Sequence, residues 1–418
     1  MRTMVLELSV PRFLLTQLLG RVSRAAYFGP TSPLRLVELP DAPLPAVGWV
    51  RVRNHLCGIC GSDLHQIFLD AGLDVAPAAL PSHRRNYLGH EMVGHIVEVS
   101  AGVTDQSPRS AAERGLAVGD RVVRWGRADD CRARGRAEMC PACARGHRVL
   151  CEHASESREH EPVGGGYGDS FITPATTLLL VPHALSDEQA ILVEPAAVAI
   201  HAAWRRPPAA GERVLVMGCG TIGFLLIQAL RALQPACEIY AIAQFPWQAE
   251  MALAWGAREV FSTHEDTYAQ VARLTGAKLY QGRGSNRMLL GGMDVVYDVV
   301  GTAATLNNAL RWTRARGTVV LVGVNLHRMT LDLTPVWYQE VDLLGAVGHD
   351  VVTWEGQQMS TFELAMRWMQ EGRLDTRGLV THRFPLEEYR QAFAVAVEKG
   401  KYRSIKVAFD LARKRATQ

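Results

Sequence analysis

The stretch RVLVMGCGTIG, residues 213–223, decides how the second half of the chain folds. Four apolar residues in a row read as a buried strand, and Gly218, Gly220 and Gly223 follow in the spacing G-x-G-x-x-G. Such a turn, between a strand and a helix, suits a pyrophosphate. The first glycine lets the chain turn sharply and the second lets backbone approach the anion. The third permits close helix–strand packing, and the helix N-terminus favours negative charge. The spacing therefore predicts a dinucleotide site at Gly218, Gly220, Thr221, Ile222 and Gly223. Cys219 within it reads as a small filler.

Outward from this turn, strand and helix patterns alternate. Ser186 and Gln189 have capping-box spacing. Residues 224–233 and 246–255 read as helices, and 238–243, 259–261, 293–300 and 318–324 as strands. That alternation predicts a parallel sheet covered on both faces over residues 186–350, with 342–347 ending it. The second strand ends near Ala243 and Gln244, where an acidic residue would hold a ribose hydroxyl or an arginine a 2′-phosphate. Neither residue is charged, so NAD and NADP both stay open. Residues 277–292, rich in glycine and basic side chains, read as a surface loop.

The first part of the chain is β-rich, with strands expected at 49–53, 94–99 and 119–123. Residues 362–370 and 386–397 read as amphipathic helices and 404–409 as a last strand. The expected division is 1–185 with 351–418, and 186–350. At 418 residues two domains are expected, and 48% hydrophobic with 21% charged residues is a globular balance. A net charge of +3 gives no electrostatic case for nucleic acid or an anionic membrane as main partner. No apolar run reaches membrane-spanning length, and residues 1–21 read as folded protein rather than a signal peptide. The expected compartment is the cytoplasm, where the eight cysteines serve metal or catalysis rather than disulfides.

Two dense segments carry thiolate, imidazole and carboxylate together: Cys57 to His65 (CGICGSDLH) and Gly89 to Gly94 (GHEMVG). These are the ligand types of an open tetrahedral zinc site. Glu194, followed by His201, adds a carboxylate. Cys57 reads as a buried hydrophobe, His201 as structural, and His83 with Arg84 and Arg85 as a solvated loop.

In this order GICGSDLH, GHEMVG, CPACARGHRVLC (140–151), GGGYGDSF (164–171), EPAAVAIHA (194–202) and GCGTIG span nearly the whole chain. The sequence resembles the zinc-containing medium-chain dehydrogenase/reductase superfamily, on its polyol and threonine dehydrogenase side. The resemblance implies an α/β fold, a GroES-like catalytic domain plus a Rossmann domain with the active site in the cleft between them. It implies that Cys60 and His90 bind catalytic zinc, with Glu91 and Glu194 as candidates for the remaining ligand. Asp63 then supports the His90 imidazole, Ser62 meets the substrate oxygen, and His65 ends a proton relay. Cys140, Cys143 and Cys151 match three ligands of the family's structural zinc lobe. The fourth position holds Ala137, and Cys131 can substitute across a six-residue insertion. Asp129, Asp130 or His153 could also complete the site, and a metal-free lobe is the alternative.

The implied activity is hydride transfer between a secondary alcohol (polyol, cyclitol or amino alcohol) and NAD(P). A zinc-free quinone or enoyl reductase is the nearest alternative, and a non-catalytic zinc-lobe interaction protein a more distant one. The family's habit implies a homodimer or homotetramer, through a contact at residues 324–341.

Overall fold

The computed structural model describes residues 1–7, 9–72, 75–76, 85–101, 115–126, 128–154, 156–157 and 159–412. By its internal contacts the chain forms two units. One comprises Met1–Glu194, Thr353–Gln370 and Thr376–Gln418; the other Pro195–Val352 with Glu371–Asp375. No helix among the described residues is long and apolar enough to cross a membrane.

The first unit opens with β1 (Arg2–Glu7), helix α1 (Val10–Gly20) and β2 (Leu34–Glu38), β1 and β2 pairing antiparallel. Strand β3 (Trp49–Gly58) leads into α2 (Gly61–Ile67), and β4 (Arg85–Tyr87) pairs with β1. His83 and Arg84 of the expected solvated loop lie outside the described residues. Arg85 instead begins β4, its guanidinium 3.3 Å from Glu7. Then come β5 (Glu91–Val99), β6 (Arg121–Arg124), α3 (Pro141–Ala144), β7 (Ser170–Pro174) and β8 (Leu178–Leu180). Strand β3 alternates because one face packs on the core; Val50 and Val52 are buried there. The capping box expected at Ser186 forms, Ser186 and Gln189 exchanging bonds of 3.2 and 3.0 Å at the start of α4 (Asp187–Ala190).

Helix α5 (Val193–Arg205) carries Glu194 in its first turn. The second unit then alternates: β9 (Arg213–Met217), α6 (Thr221–Leu233), β10 (Glu238–Ala243), α7 (Pro246–Ala254), β11 (Glu259–Ser262) and α8 (Thr267–Thr275). Residues 277–292 are not a loop. Strands β12 (Lys278–Gln281) and β13 (Arg287–Leu290) form an antiparallel hairpin. All of β12 is exposed, so no apolar–polar alternation marks it in the sequence. After it come β14 (Met293–Asp298), α9 (Ala303–Trp312), β15 (Thr313–Leu321), α10 (Thr334–Tyr338) and β16 (Asp342–Gly345). The sheet runs β11-β10-β9-β14-β15-β16, all parallel. This is a doubly wound order, and it reverses between β9 and β14.

The hairpin β17 (Val351–Trp354) and β18 (Gln357–Ser360) and helix α11 (Thr361–Gln370) follow. Strand β19 (Val380–Phe384), helices α12 (Tyr389–Val397) and α13 (Lys399–Tyr402) and strand β20 (Lys406–Asp410) return the chain to the first unit. Its sheet has the order β19-β20-β3-β5-β6-β8, with β7 also on β3. Strand β20 lies against the Cys57–Gly58 end of β3, which brings the C-terminal segment beside the first cysteine motif.

Candidate metal and cofactor sites

Cys60 ends the β3 segment and caps α2, so the motif's thiol sits at a helix N-terminus. His90 and Glu91 enter β5, which pairs with β3 at Gly58 and Glu91. Strand pairing thus gathers residues thirty positions apart. Cys60, His90 and Glu91 each offer a ligand atom, all within 4.8 Å of one another. Glu194 Oε1 lies 4.0 Å from His90 Nε2.

Asp63 is buried beneath this group. Its Oδ1 lies 3.5 Å from His90 Nδ1 and accepts from the Gly89 N–H at 3.3 Å. Its Oδ2 accepts from the Cys60 N–H at 3.3 Å and from the Tyr167 hydroxyl at 2.6 Å. Burial works to raise the Asp63 pKa, but His90, Tyr167 and the Gly89 N–H outweigh it and hold the carboxyl below its usual range. With Nδ1 turned to Asp63, His90 leaves Nε2 for a ligand.

The two glutamates differ. Both oxygens of Glu91 accept from Lys406 Nζ, at 2.7 and 2.5 Å, and the same ammonium donates to the Ile59 carbonyl at 3.1 Å. Glu91 and Lys406 are buried. Gly58 leaves them the room, since a Cβ there would stand 2.3 Å from Glu91 Oε2. Among the described residues no cation hydrogen-bonds Glu194, and its burial pushes its carboxyl up to about 7, partly offset by His90 and Lys406. A cation at the site would relieve that. Thiolate, imidazole nitrogen and carboxylate in this proximity fit zinc.

Ser62 and His65 both project from α2, one turn apart. His65 Nδ1 is 2.9 Å from Asp70 Oδ2, and its side chain is 32% exposed. Cys57 is fully buried, its thiol pushed well up by burial.

Cys131, Cys140, Cys143 and Cys151 form a second group, buried and without disulfides. Sγ of Cys131 and Cys140 lie 3.7 and 4.0 Å from that of Cys151. Four sulfurs about 2.3 Å from zinc stand about 3.8 Å apart, so the donor set fits a closed tetrahedral site. The insertion between Cys131 and Cys140 is tied down. Arg134 donates to the carbonyls of Asp129, His153, Glu156 and Ser157, and the Arg136 N–H to that of Cys131. Asp130 pairs with Arg148 at 2.7 Å and His153 with Glu156 at 2.7 Å, while the Cys131 thiol groups with the other three.

In the second unit, the glycine turn joins β9 to α6. Gly218 has φ of +106°, a region other residues avoid, and a Cβ on Gly223 would sit 1.9 Å from the Gly218 carbonyl oxygen. A Cβ on Gly220 would meet nothing within 4 Å, so space lies over the helix N-terminus there. Burial pushes the Cys219 thiol up to about 12, as suits a filler. Strand β10 ends at Ala243, next to an exposed Gln244 whose N–H donates to Gln248. His201 is buried.

Tyr167 and Lys406 are the residues that the sequence reading missed. Tyr167 lay inside a quoted motif; Lys406 betrays itself only as a charge within the apolar run of β20.

A family model described as the alcohol dehydrogenase GroES-like domain matches residues 46–183, and one described as zinc-binding dehydrogenase matches 221–371. Sorbitol dehydrogenase of Arabidopsis thaliana is 30% identical over 88% of this chain and 90% of its own. L-idonate 5-dehydrogenase of Vitis vinifera is 29% identical over 90% and 93%. The crystal structure of 2R,3R-butanediol dehydrogenase from Bacillus subtilis superposes with a TM-score of 0.66 at 25% identity, covering 90% of this chain and 96% of that one. Matched in both halves and along nearly all the length of these relatives, the chain belongs to the zinc-dependent medium-chain dehydrogenase/reductase superfamily, as an NAD(P)-linked oxidoreductase.

Proposed function

We propose that this enzyme oxidises a secondary alcohol of the polyol, cyclitol or amino-alcohol class, and in reverse reduces the ketone. The observation that carries the reading is the gathering of Cys60, His90 and Glu91 over a buried Asp63, with Glu194 4.0 Å from His90 Nε2, in a chain whose relatives include sorbitol and idonate dehydrogenases.

Cys60 and His90 Nε2 hold the catalytic zinc, and Glu194 is the third protein ligand. Glu91 stays on Lys406, whose ammonium takes both of its oxygens. Cys60, His90 and Glu194 would hold a zinc ion that supplies Lewis acidity to the substrate oxygen. Asp63 orients His90. Ser62 accepts the proton of the substrate hydroxyl, and His65, backed by Asp70, delivers it to water. Cys131, Cys140, Cys143 and Cys151 hold a structural zinc. Gly218, Gly220, Thr221, Ile222 and Gly223 bind the pyrophosphate of the cofactor, which supplies the hydride acceptor. Ala243 and Gln244 face its adenosine ribose, and a neutral Gln244 admits NAD and NADP alike.

The enzyme works in the cytoplasm, where its cysteines remain free thiols or metal ligands. It assembles as a homodimer or homotetramer through β16. That strand lies at the sheet edge and is largely exposed, beside a Trp337 that is 80% exposed. Small alcohols are its partners, and nucleic acid is not.

Metal analysis of purified protein, with reduction of NAD and NADP followed against a panel of polyols, tests this. Near two zinc ions per chain and oxidation of one polyol class is the expected result. Protein that holds zinc yet oxidises no secondary alcohol would overturn it.

A further inference from the structure

Helix α1 is apolar on its outside. At ~100° per residue, Val10, Leu14, Leu15, Leu18 and Leu19 share one half of its circumference, and Val22 continues the row just past its end. These six side chains are between 39% and 90% exposed. A surface helix ordinarily turns such a stripe inward. Here the other half faces in, where Phe13 packs against the core and the polar side chains find backbone acceptors. Arg12 donates to the Pro30 and Ser32 carbonyls, Thr16 to Thr31 at 3.1 Å, and Gln17 to Leu69 at 3.2 Å. These bonds fix the helix rotation and hold the leucines in water. The segment connects two paired strands, β1 and β2.

We propose that this face docks on an anionic lipid surface. The charge around it argues for that occupant. Arg21 and Arg24 are exposed at the C-terminal end of the stripe, and no Asp or Glu occurs from residue 8 to residue 37. An apolar face flanked by cations supplies the two signals that peripheral attachment to anionic lipid requires. A second copy fits less well. Self-pairing would bring like charges to the same patch. A helix of eleven residues also offers less than the ~1,200 Å² that a stable interface buries.

The test is flotation of the full-length enzyme with phosphatidylcholine vesicles containing one quarter phosphatidylglycerol, against pure phosphatidylcholine. Wild type should float with the anionic vesicles, less so at high salt, and stay behind with the neutral ones. Leu14→Glu with Leu18→Glu should abolish flotation while leaving dehydrogenase activity and melting temperature unchanged. Arg21→Gln and Arg24→Gln should each weaken it about five-fold. Wild type that floats with neither vesicle, or equally with both, overturns the proposal. So does flotation that the two glutamates leave intact. A change in subunit number on L14E/L18E without vesicle binding would also overturn it, and would assign the face to contact between copies.

Discussion

Tyr167→Phe removes one oxygen atom from beneath the metal site and nothing else. The ring stays between Phe393 and Phe409, at 6.2 and 5.0 Å between centroids, so no cavity opens. What disappears is the 2.6 Å donor to Asp63 Oδ2, along with the hydroxyl's longer, 3.3 Å approach to the Gly58 carbonyl. Asp63 is buried and charged, and its other contacts are longer: two N–H groups at 3.3 Å and His90 Nδ1 at 3.5 Å. A hydrogen bond to a buried charge contributes ~1.5–3 kcal/mol, and an acceptor left short of donors pays most of its desolvation. Taking ~2 kcal/mol and ~2–4 °C per kcal/mol for a unit of this size, the melting temperature should fall by about 4–8 °C. Asp63 would also hold His90 less firmly. Loss of such support weakens metal binding ~10–100-fold when the partner itself is removed, and one step further out about ten-fold is expected. The assays are thermal unfolding of the zinc-loaded enzyme and the rate of zinc release to a chromogenic chelator, which should rise about ten-fold. A variant that melts within a degree of wild type and releases zinc at the same rate would refute the reasoning. Asp63 would then owe nothing to the hydroxyl.

Cys131→Ser should lower zinc from about two ions per chain to about one, read by metal analysis, while the Cys60 site keeps its ion. Unchanged zinc content would mean that the remaining three thiols hold the metal with another donor. Gln244→Arg should shift the ratio of kcat/KM toward NADPH by ten-fold or more, since an arginine there can pair a 2′-phosphate; an unaltered ratio places the ribose elsewhere. His95 is held below its ordinary pKa by burial and by His55, whose Nε2 is 2.9 Å from His95 Nδ1. A depressed histidine costs nothing above its unfolded pKa of ~6.5 and costs stability as pH falls below it. His95→Gln should therefore narrow the gap in melting temperature between pH 7.5 and pH 5.5, and a gap as wide as wild type would remove His95 from the acid response.

What was legible in the sequence was what is local or chemically rare. The turn at Gly218–Gly223, the box at Ser186 and Gln189 and the strand end at Ala243 depend on neighbours a few residues apart, and they appear where the spacing put them. Cysteine is scarce enough that Cys131 stood out across its insertion. The hairpin of β12 and β13 was not legible, because strand pairing without a buried face leaves no periodic trace. Nor was the rotation of α1. Its leucines have ordinary helical spacing, and the carbonyls of Pro30, Thr31, Ser32 and Leu69, with Phe13 on the core, decide that they face outward.

The choice between Glu91 and Glu194 shows the same limit at the site itself. Beside His90 in the sequence, Glu91 looks the better ligand, and its carboxylate does lie close to Cys60 and His90. Proximity is not availability. The ammonium that occupies Glu91 comes from a residue 315 positions away, carried in by β20 as it lines up against β3. Breaking that pair in a buried setting would leave Lys406 uncompensated, at a cost of ~3–5 kcal/mol. Glu194 pays less, for among the described residues no ammonium hydrogen-bonds its carboxyl, and burial disfavours its charge more than His90 and the more distant Lys406 favour it. A cation between His90 and Glu194 relieves an existing penalty, whereas one that drew Glu91 off Lys406 would create a new one. The energetics therefore favour Glu194 on the metal and Glu91 on the lysine, an ordering that neither residue's neighbours in the chain could reveal.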